Sequence, residues 1–132
     1  MRGRICAAFI VCGVCSAESA LAQSYPVRPI RLVVASSPGG SSDVLARLVA
    51  PKLGEALGQQ VVVENRAGAS GIIGVEVVAK SAPDGYTLIL TQTSLAINPA
   101  MFAKVPYDAL RDLAPITEMV TTGSLLVVHR SV

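Results

Sequence analysis

The chain has 132 residues, enough for one modest domain or for part of a larger protein. Lys and Arg number 11 against 9 Asp and Glu, a net charge of +2, and only 4% of the residues are aromatic. Charges so balanced and scattered, with few rings to stack on bases, argue against nucleic acid as a partner.

The first 22 residues read as a secretory signal. Arg2 and Arg4 form a basic start, Ile5 to Val14 an apolar stretch, and Ala20-Leu21-Ala22 a cleavage site before Gln23. The apolar stretch is too short for a transmembrane anchor. Cys15, preceded by Cys12-Gly13-Val14, lacks the leucine and small residues that a lipidated cysteine favours. Cys6, Cys12 and Cys15 all lie in this leader, so residues 23–132 hold no disulfide, thiol nucleophile or cysteine metal site. Without Arg2, Arg4 and Glu18 the remainder has nine basic and eight acidic residues, about +1. The expected product is exported, begins at Gln23 and is periplasmic.

Pro26 and Pro29 hold the segment Gln23 to Pro29 extended. Ile30 to Ala35 is an apolar, β-branched run that stops at Ser36-Ser37-Pro38-Gly39-Gly40, and a helix opens at once with Ser41-Ser42-Asp43. A strand–loop–helix unit of this kind gathers unpaired N–H groups at the positive end of a helix dipole, which suits a carboxylate or phosphate. An ordinary capped βα turn has the same pattern. Val44, Leu45, Leu48, Val49, Leu53 and Leu57 give the helix an apolar face, with Arg47, Lys52 and Glu55 toward water. Pro51 is expected to kink it and Gly58 to cap it. Asp43 is expected to complement the dipole.

Val61 to Val63 reads as a second strand, ending at Glu64-Asn65-Arg66. Asn65 and Arg66 read as ties for the loop that follows. The small residues Ala67 to Gly71 lead to a helix over Ile72 to Lys80, with Ile73, Val77 and Val78 inward and Glu76 paired to Lys80. Pro83-Asp84-Gly85 is a turn, Tyr86 to Leu90 a third strand, and Thr91-Gln92-Thr93-Ser94 a second polar loop at a strand end. A short helix is expected at Pro99 to Phe102, with Pro in its first position, and a helical turn at Leu110 to Leu113. Ile116 to Val120 and Leu125 to His129 are further strand candidates. The alternation predicts an α/β fold with a mainly parallel sheet, flanking helices, and a ligand beyond the carboxyl ends of the strands. A chain that stops after an apolar strand pattern reads as the opening part of something longer.

Catalytic motifs are scarce. His129 is the single histidine, no G-x-S-x-G elbow accompanies it, and it reads as a strand-end residue. One His and no clustered acids argue against a metal. Pro38-Gly39-Gly40-Ser41-Ser42 lacks the G-K-[ST] of a P-loop, and Gly68-x-x-Gly71-x-x-Gly74 lacks the close first glycine pair of a dinucleotide turn. No cofactor is expected.

Four segments carry a family resemblance: YPVRPIRLVV, PGGSSDVLARLVAPKLGEALGQQVVVENRAGASG, VAKSAPDGYTLIL and INPAMFAKVPYDALRDLAPIT. In order and spacing they resemble the periplasmic substrate-binding proteins of tripartite tricarboxylate transporters, the Bug family. The resemblance implies a type II periplasmic-binding-protein lobe and no catalytic step. It also implies a small carboxylated solute, an organic acid or acidic amino acid, delivered to the transporter's membrane subunits. Ser36, Ser37, Gly39, Gly40 and Ser41 carry over to the first binding loop, and Thr91, Gln92, Thr93 and Ser94 to the second, with Ala96 to Asn98 following. These groups would hold a carboxylate through backbone N–H groups, hydroxyls and waters. Ala35-Ser36 stands where the family has Pro-Phe, removing an aromatic wall from the pocket. Family members are more than twice as long, so residues 23–132 would form only the first part of lobe 1, with the second lobe missing. The competing readings are a truncated product without activity and an α/β hydrolase working through His129.

Overall fold

In the computed structural model, residues 25–123 and residue 127 are described. The elements are β1 (Ile30–Val34), α1 (Ser41–Leu57), β2 (Val61–Asn65), α2 (Ile72–Ala79), β3 (Thr87–Leu90) and α3 (Ser94–Met101), with a short 3₁₀ turn at Ala69–Gly71 before α2. The three strands form one parallel sheet in the order β2-β1-β3. Strand β1 is central, which explains its unbroken apolar run: both of its faces are covered.

Leu32 and Val34 pack against Ala46 of α1, together with Val61, Val63, Leu88 and Leu90 of the sheet. The opposite face meets α2, where Ile72, Val75 and Tyr107 pack with Ile89, Leu95 and Leu113. Ile30, Val33 and Val34 are fully buried. Burial of each such side chain contributes roughly 1.5–3 kcal/mol. The α/β fold and parallel sheet are as the alternation predicts.

Several local expectations change. The buried line of α1 is Ser42, Asp43, Ala46 and Ala50, while Leu48 is 65% exposed and Val44 half exposed. Small alanines let the helix axis approach the sheet closely, so the larger residues flank the contact. In α2 the inward residues are Ile72, Gly74 and Val75, and Ile73 turns outward. Helix α1 runs as one element through Pro51, and Gly58, at φ 69°, caps it with its N–H on the Gly54 carbonyl.

Helix α3 begins at Ser94, five residues before the expected start, and carries Pro99 inside it. Packing of Leu95 against the α2 cluster and burial of Asn98 offset the backbone bond that Pro99 removes. Strand β2 extends through Glu64 and Asn65. The helical turn near Leu110 is present, closed by the Asp112 N–H on the Asp108 carbonyl at 2.8 Å. Ile116 to Val120 forms no strand, because it pairs with no ladder among the described residues. Apart from Val127, the candidate at Leu125 to His129 lies outside the described residues, as does the leader.

Candidate functional site

The carboxyl ends of all three strands open on one cleft of about 380 Å³. Ala35, Ser36 and Ser37 line it after β1, Ala67, Gly68, Ser70 and Gly71 after β2, and Gln92 and Ser94 after β3. A larger hollow of about 790 Å³ lies between α1 and the outer side of β2. Its lining, from Arg47 and Pro51 to Val63, includes none of the expected binding residues. Convergent polar groups, not size, distinguish the smaller cleft.

The first loop turns at Ser37-Pro38-Gly39-Gly40. The Gly40 N–H donates to the Ser37 carbonyl at 3.3 Å and Gly39 has φ 80°. Proline second and a positive-φ glycine third are what a type II turn requires. The turn delivers the chain to α1 with no side-chain cap. The N–H groups of Ser41, Ser42 and Asp43 receive no backbone acceptor among the described residues. They concentrate positive potential at the head of a 17-residue helix.

Asp43, 4% exposed, fixes this loop. Its carboxylate accepts the Gly39 N–H at 2.8 Å, the Asn65 amide at 3.0 Å and the Arg47 guanidinium at 3.0 and 3.1 Å. The Arg47 bonds, then those from Gly39 and Asn65, lower its pKa from 3.8 to about 2. Asn65 also donates to the Ser36 carbonyl at 3.3 Å, so the end of β2 is tied to the loop after β1. Asn65 is thus structural, but it ties the loop after β1 and not, as expected, the loop that follows it. For Asp43, the dipole contribution is joined by a larger task, cross-linking three elements.

The second loop joins the first through Gln92, whose amide donates to the Ser42 hydroxyl at 2.8 Å. Thus Ser36, Ser37, Gln92 and Ser94 come together in the cleft. Gly39, Gly40 and Ser41 form the turn and helix start behind Ser37, and Thr91 and Thr93 flank Gln92 without lining the cleft. Asn98 is 2% exposed, and its amide donates to the Ser70 carbonyl at 3.1 Å and faces the Tyr107 hydroxyl at 3.5 Å. It braces the wall of the cleft from behind.

That wall, Gly68 to Gly71, escapes the sequence reading. Four successive residues have positive φ, including Ala69 at 46° and Ser70 at 55°. For the two non-glycines this conformation costs roughly 1–2 kcal/mol each. At Gly71 an added Cβ would lie 3.1 Å from the Ala35 carbonyl oxygen, so only glycine lets this loop sit against the end of β1. The strand-end rule applied to the loops after β1 and β3 points here too, since β2 is parallel to both. No charged side chain lines the cleft among the described residues.

The match to known proteins agrees with this fold. The tripartite tricarboxylate transporter family receptor, TctC, matches residues 45–132. The chain belongs to this family. Protein BugT of Bordetella pertussis is 47% identical over 110 residues, covering 82% of this chain and 34% of BugT. The periplasmic binding protein BugD is similar in structure at a TM-score of 0.62 and 39% identity, over 64% of this chain and 28% of BugD. Rpa4515 of R. palustris, solved with adipate, gives a TM-score of 0.62 and 40% identity, over 65% of this chain and 29% of Rpa4515. The chain thus spans about a third of the length of the relatives it matches. The fold is that of a periplasmic-binding-protein lobe, and it accounts for only part of such a protein.

Proposed function

We propose that this chain supplies one wall of a periplasmic solute-binding cleft and takes a small carboxylated solute, an organic acid or an acidic amino acid. The observation that carries this reading is the convergence of three strand-end loops beside the uncapped start of α1, in a member of a transporter receptor family. A carboxylate is drawn there by the positive start of α1 behind Ser37, and is held by the hydroxyls of Ser37 and Ser94 and by backbone N–H groups of the lining loops. Bridging waters contribute bonds comparable to direct ones. Rpa4515 with adipate supports a carboxylate, and BugD supports a periplasmic location. No catalytic step is involved. A companion wall would close on the solute, and the loaded protein would present it to the membrane subunits of a tripartite transporter.

The test is titration of the isotope-labelled chain with adipate and with glutamate, followed by amide NMR. Saturable shifts should appear in Ser36 to Asp43, Ala67 to Gly71 and Gln92 to Ser94. An absence of shifts, or shifts confined to the hollow between α1 and β2, would overturn the assignment.

A further inference from the structure

Strand β2 is an edge of the sheet: among the described residues it pairs with β1 alone. The Ile30 N–H donates to the Gln60 carbonyl, and the Arg66 N–H to the Val34 carbonyl. Even-numbered residues of β2 therefore turn their peptide groups toward β1, while Val61, Val63 and Asn65 turn theirs outward. Edge strands that avoid pairing carry a proline, a bulge or a free charge. This one reads Val-Val-Val-Glu-Asn, and its single charge, Glu64, is engaged by Arg31 and Arg66.

The hollow of about 790 Å³ runs along this edge and shares no lining residue with the cleft. Its helical side is one face of α1: Arg47, Ala50, Pro51, Gly54, Glu55 and Gly58. The small residues among them leave room for a second helix. Opposite charges stand at the two ends. Arg47 lies beside the end of β2, donating to the Asn65 side chain at 3.2 Å. Glu55 lies beside its start, since an ideal Cβ on the adjacent Gly54 would be 3.7 Å from the Val61 nitrogen. The Arg47 side chain is 56% exposed and its Nη1 has no partner among the described residues. Glu55 is exposed and likewise unpaired among them.

We infer that this edge is an interface between two copies of the chain, related by a twofold axis near Val63 and Pro51. The charges select a second copy as the occupant, because the surface is complementary to itself. Antiparallel pairing of the two β2 strands sets Arg47 of each copy against Glu55 of the other, at both ends of the seam. The spans agree, with about 12 Å of helix from Arg47 to Glu55 and about 13 Å of strand from Val61 to Asn65. The two sheets become one, and the outward peptide groups of β2 gain partners. Helix α1 packs on both β1 and β2. The two copies of α1 then stand about 10 Å apart, the ordinary distance for packed helices. Each fills the other's hollow.

Amide hydrogen exchange of the full chain, followed by NMR from micromolar to millimolar concentration, reads this surface directly. The Val61, Val63 and Asn65 amides should exchange freely in dilute protein and become protected as dimer forms, in step with the mass seen by sedimentation. Glu55→Arg sits at an exposed helix position and should keep the unfolding midpoint of the parent. It should weaken dimerisation roughly tenfold, by replacing attraction with repulsion at both ends. Association that leaves these three amides unprotected would assign it to another surface, such as the outer edge of β3, and overturn the inference. Protection that is equal at all concentrations would overturn it too, showing that the chain covers its own edge. A monomer at millimolar concentration, or a dimer indifferent to Glu55→Arg, would do the same.

Discussion

At the scale of the residue, the architecture of the cleft depends on Asp43. One carboxylate accepts from the turn after β1, from the next turn of its own helix and from the end of β2. Its pKa is lowered to about 2, so the folded state favours the ionised form. The stability it contributes is fully present above its unfolded value near 4 and is lost as pH falls through about 2. Asp43→Asn should therefore lower the urea midpoint at pH 7, and the gap to the parent should narrow as pH drops from 4 to 2. A gap independent of pH over that window would show that the charge does not matter. Glu64 is lowered in the same sense by Arg31 across the β1–β2 pair, with Arg66 assisting. The comparison with the Asn variant removes that shared background. Nothing in the sequence marks Asp43 beyond its place in a first helical turn. The partners that give it a larger role, Gly39, Arg47 and Asn65, are spread over 26 residues and meet only on folding.

At the scale of the element, α2 is seated by a glycine. An ideal Cβ on Gly74 would lie 2.8 Å from the Arg66 carbonyl oxygen and 2.9 Å from the Ala35 Cα. Both are backbone atoms and cannot swing aside. Gly to Ala in a helix interior ordinarily stabilises by about 1 kcal/mol. Here the sign should reverse: Gly74→Ala should destabilise by about 1–3 kcal/mol, the usual range for overpacking. Chemical denaturation measures this directly, and a stabilised variant would refute the close approach. The same contact explains why the apolar periodicity misjudged both inward faces. Period alone nominates the largest side chains, Leu48 in α1 and Ile73 in α2, as core. Distance decides otherwise, since Ala46, Ala50 and Gly74 let the helices sit close to β1 and push their bulky neighbours to the rim.

At the scale of the whole molecule, the sheet is better covered on its faces than at its edges. Among the described residues, β3 pairs only with β1, leaving its other edge without a ladder. Leu110 is 96% exposed, and Met101, Ile116 and Val120 also face outward. An open strand edge beside exposed apolar side chains is a template for association. Studied by itself, the 132-residue chain should show a sedimentation coefficient that rises with concentration over the micromolar range. A single monomeric species throughout would mean that these surfaces are tolerated as they stand. The relatives are about three times as long, which gives the same surfaces a natural use as contacts with further structure.

The sequence by itself determined the β-α-β-α-β order, the parallel sheet, the polar loops at two strand ends and the family. These follow from local signals: unbroken apolar runs for strands buried on both faces, helical periodicity, and turn residues with fixed dihedral demands. The tertiary structure decided the rest. It rotated α1 and α2 about their axes, started α3 early in spite of Pro99, and left Ile116 to Val120 without a ladder among the described residues. It also folded Gly68 to Gly71 into a third wall and, among the described residues, left the hydroxyls of Ser36 and Thr91 without partners. Each of these depends on which backbone comes within a few ångströms of which side chain. No periodicity along the chain records that, because the residues involved are distant in sequence and meet only when the helices close on β1.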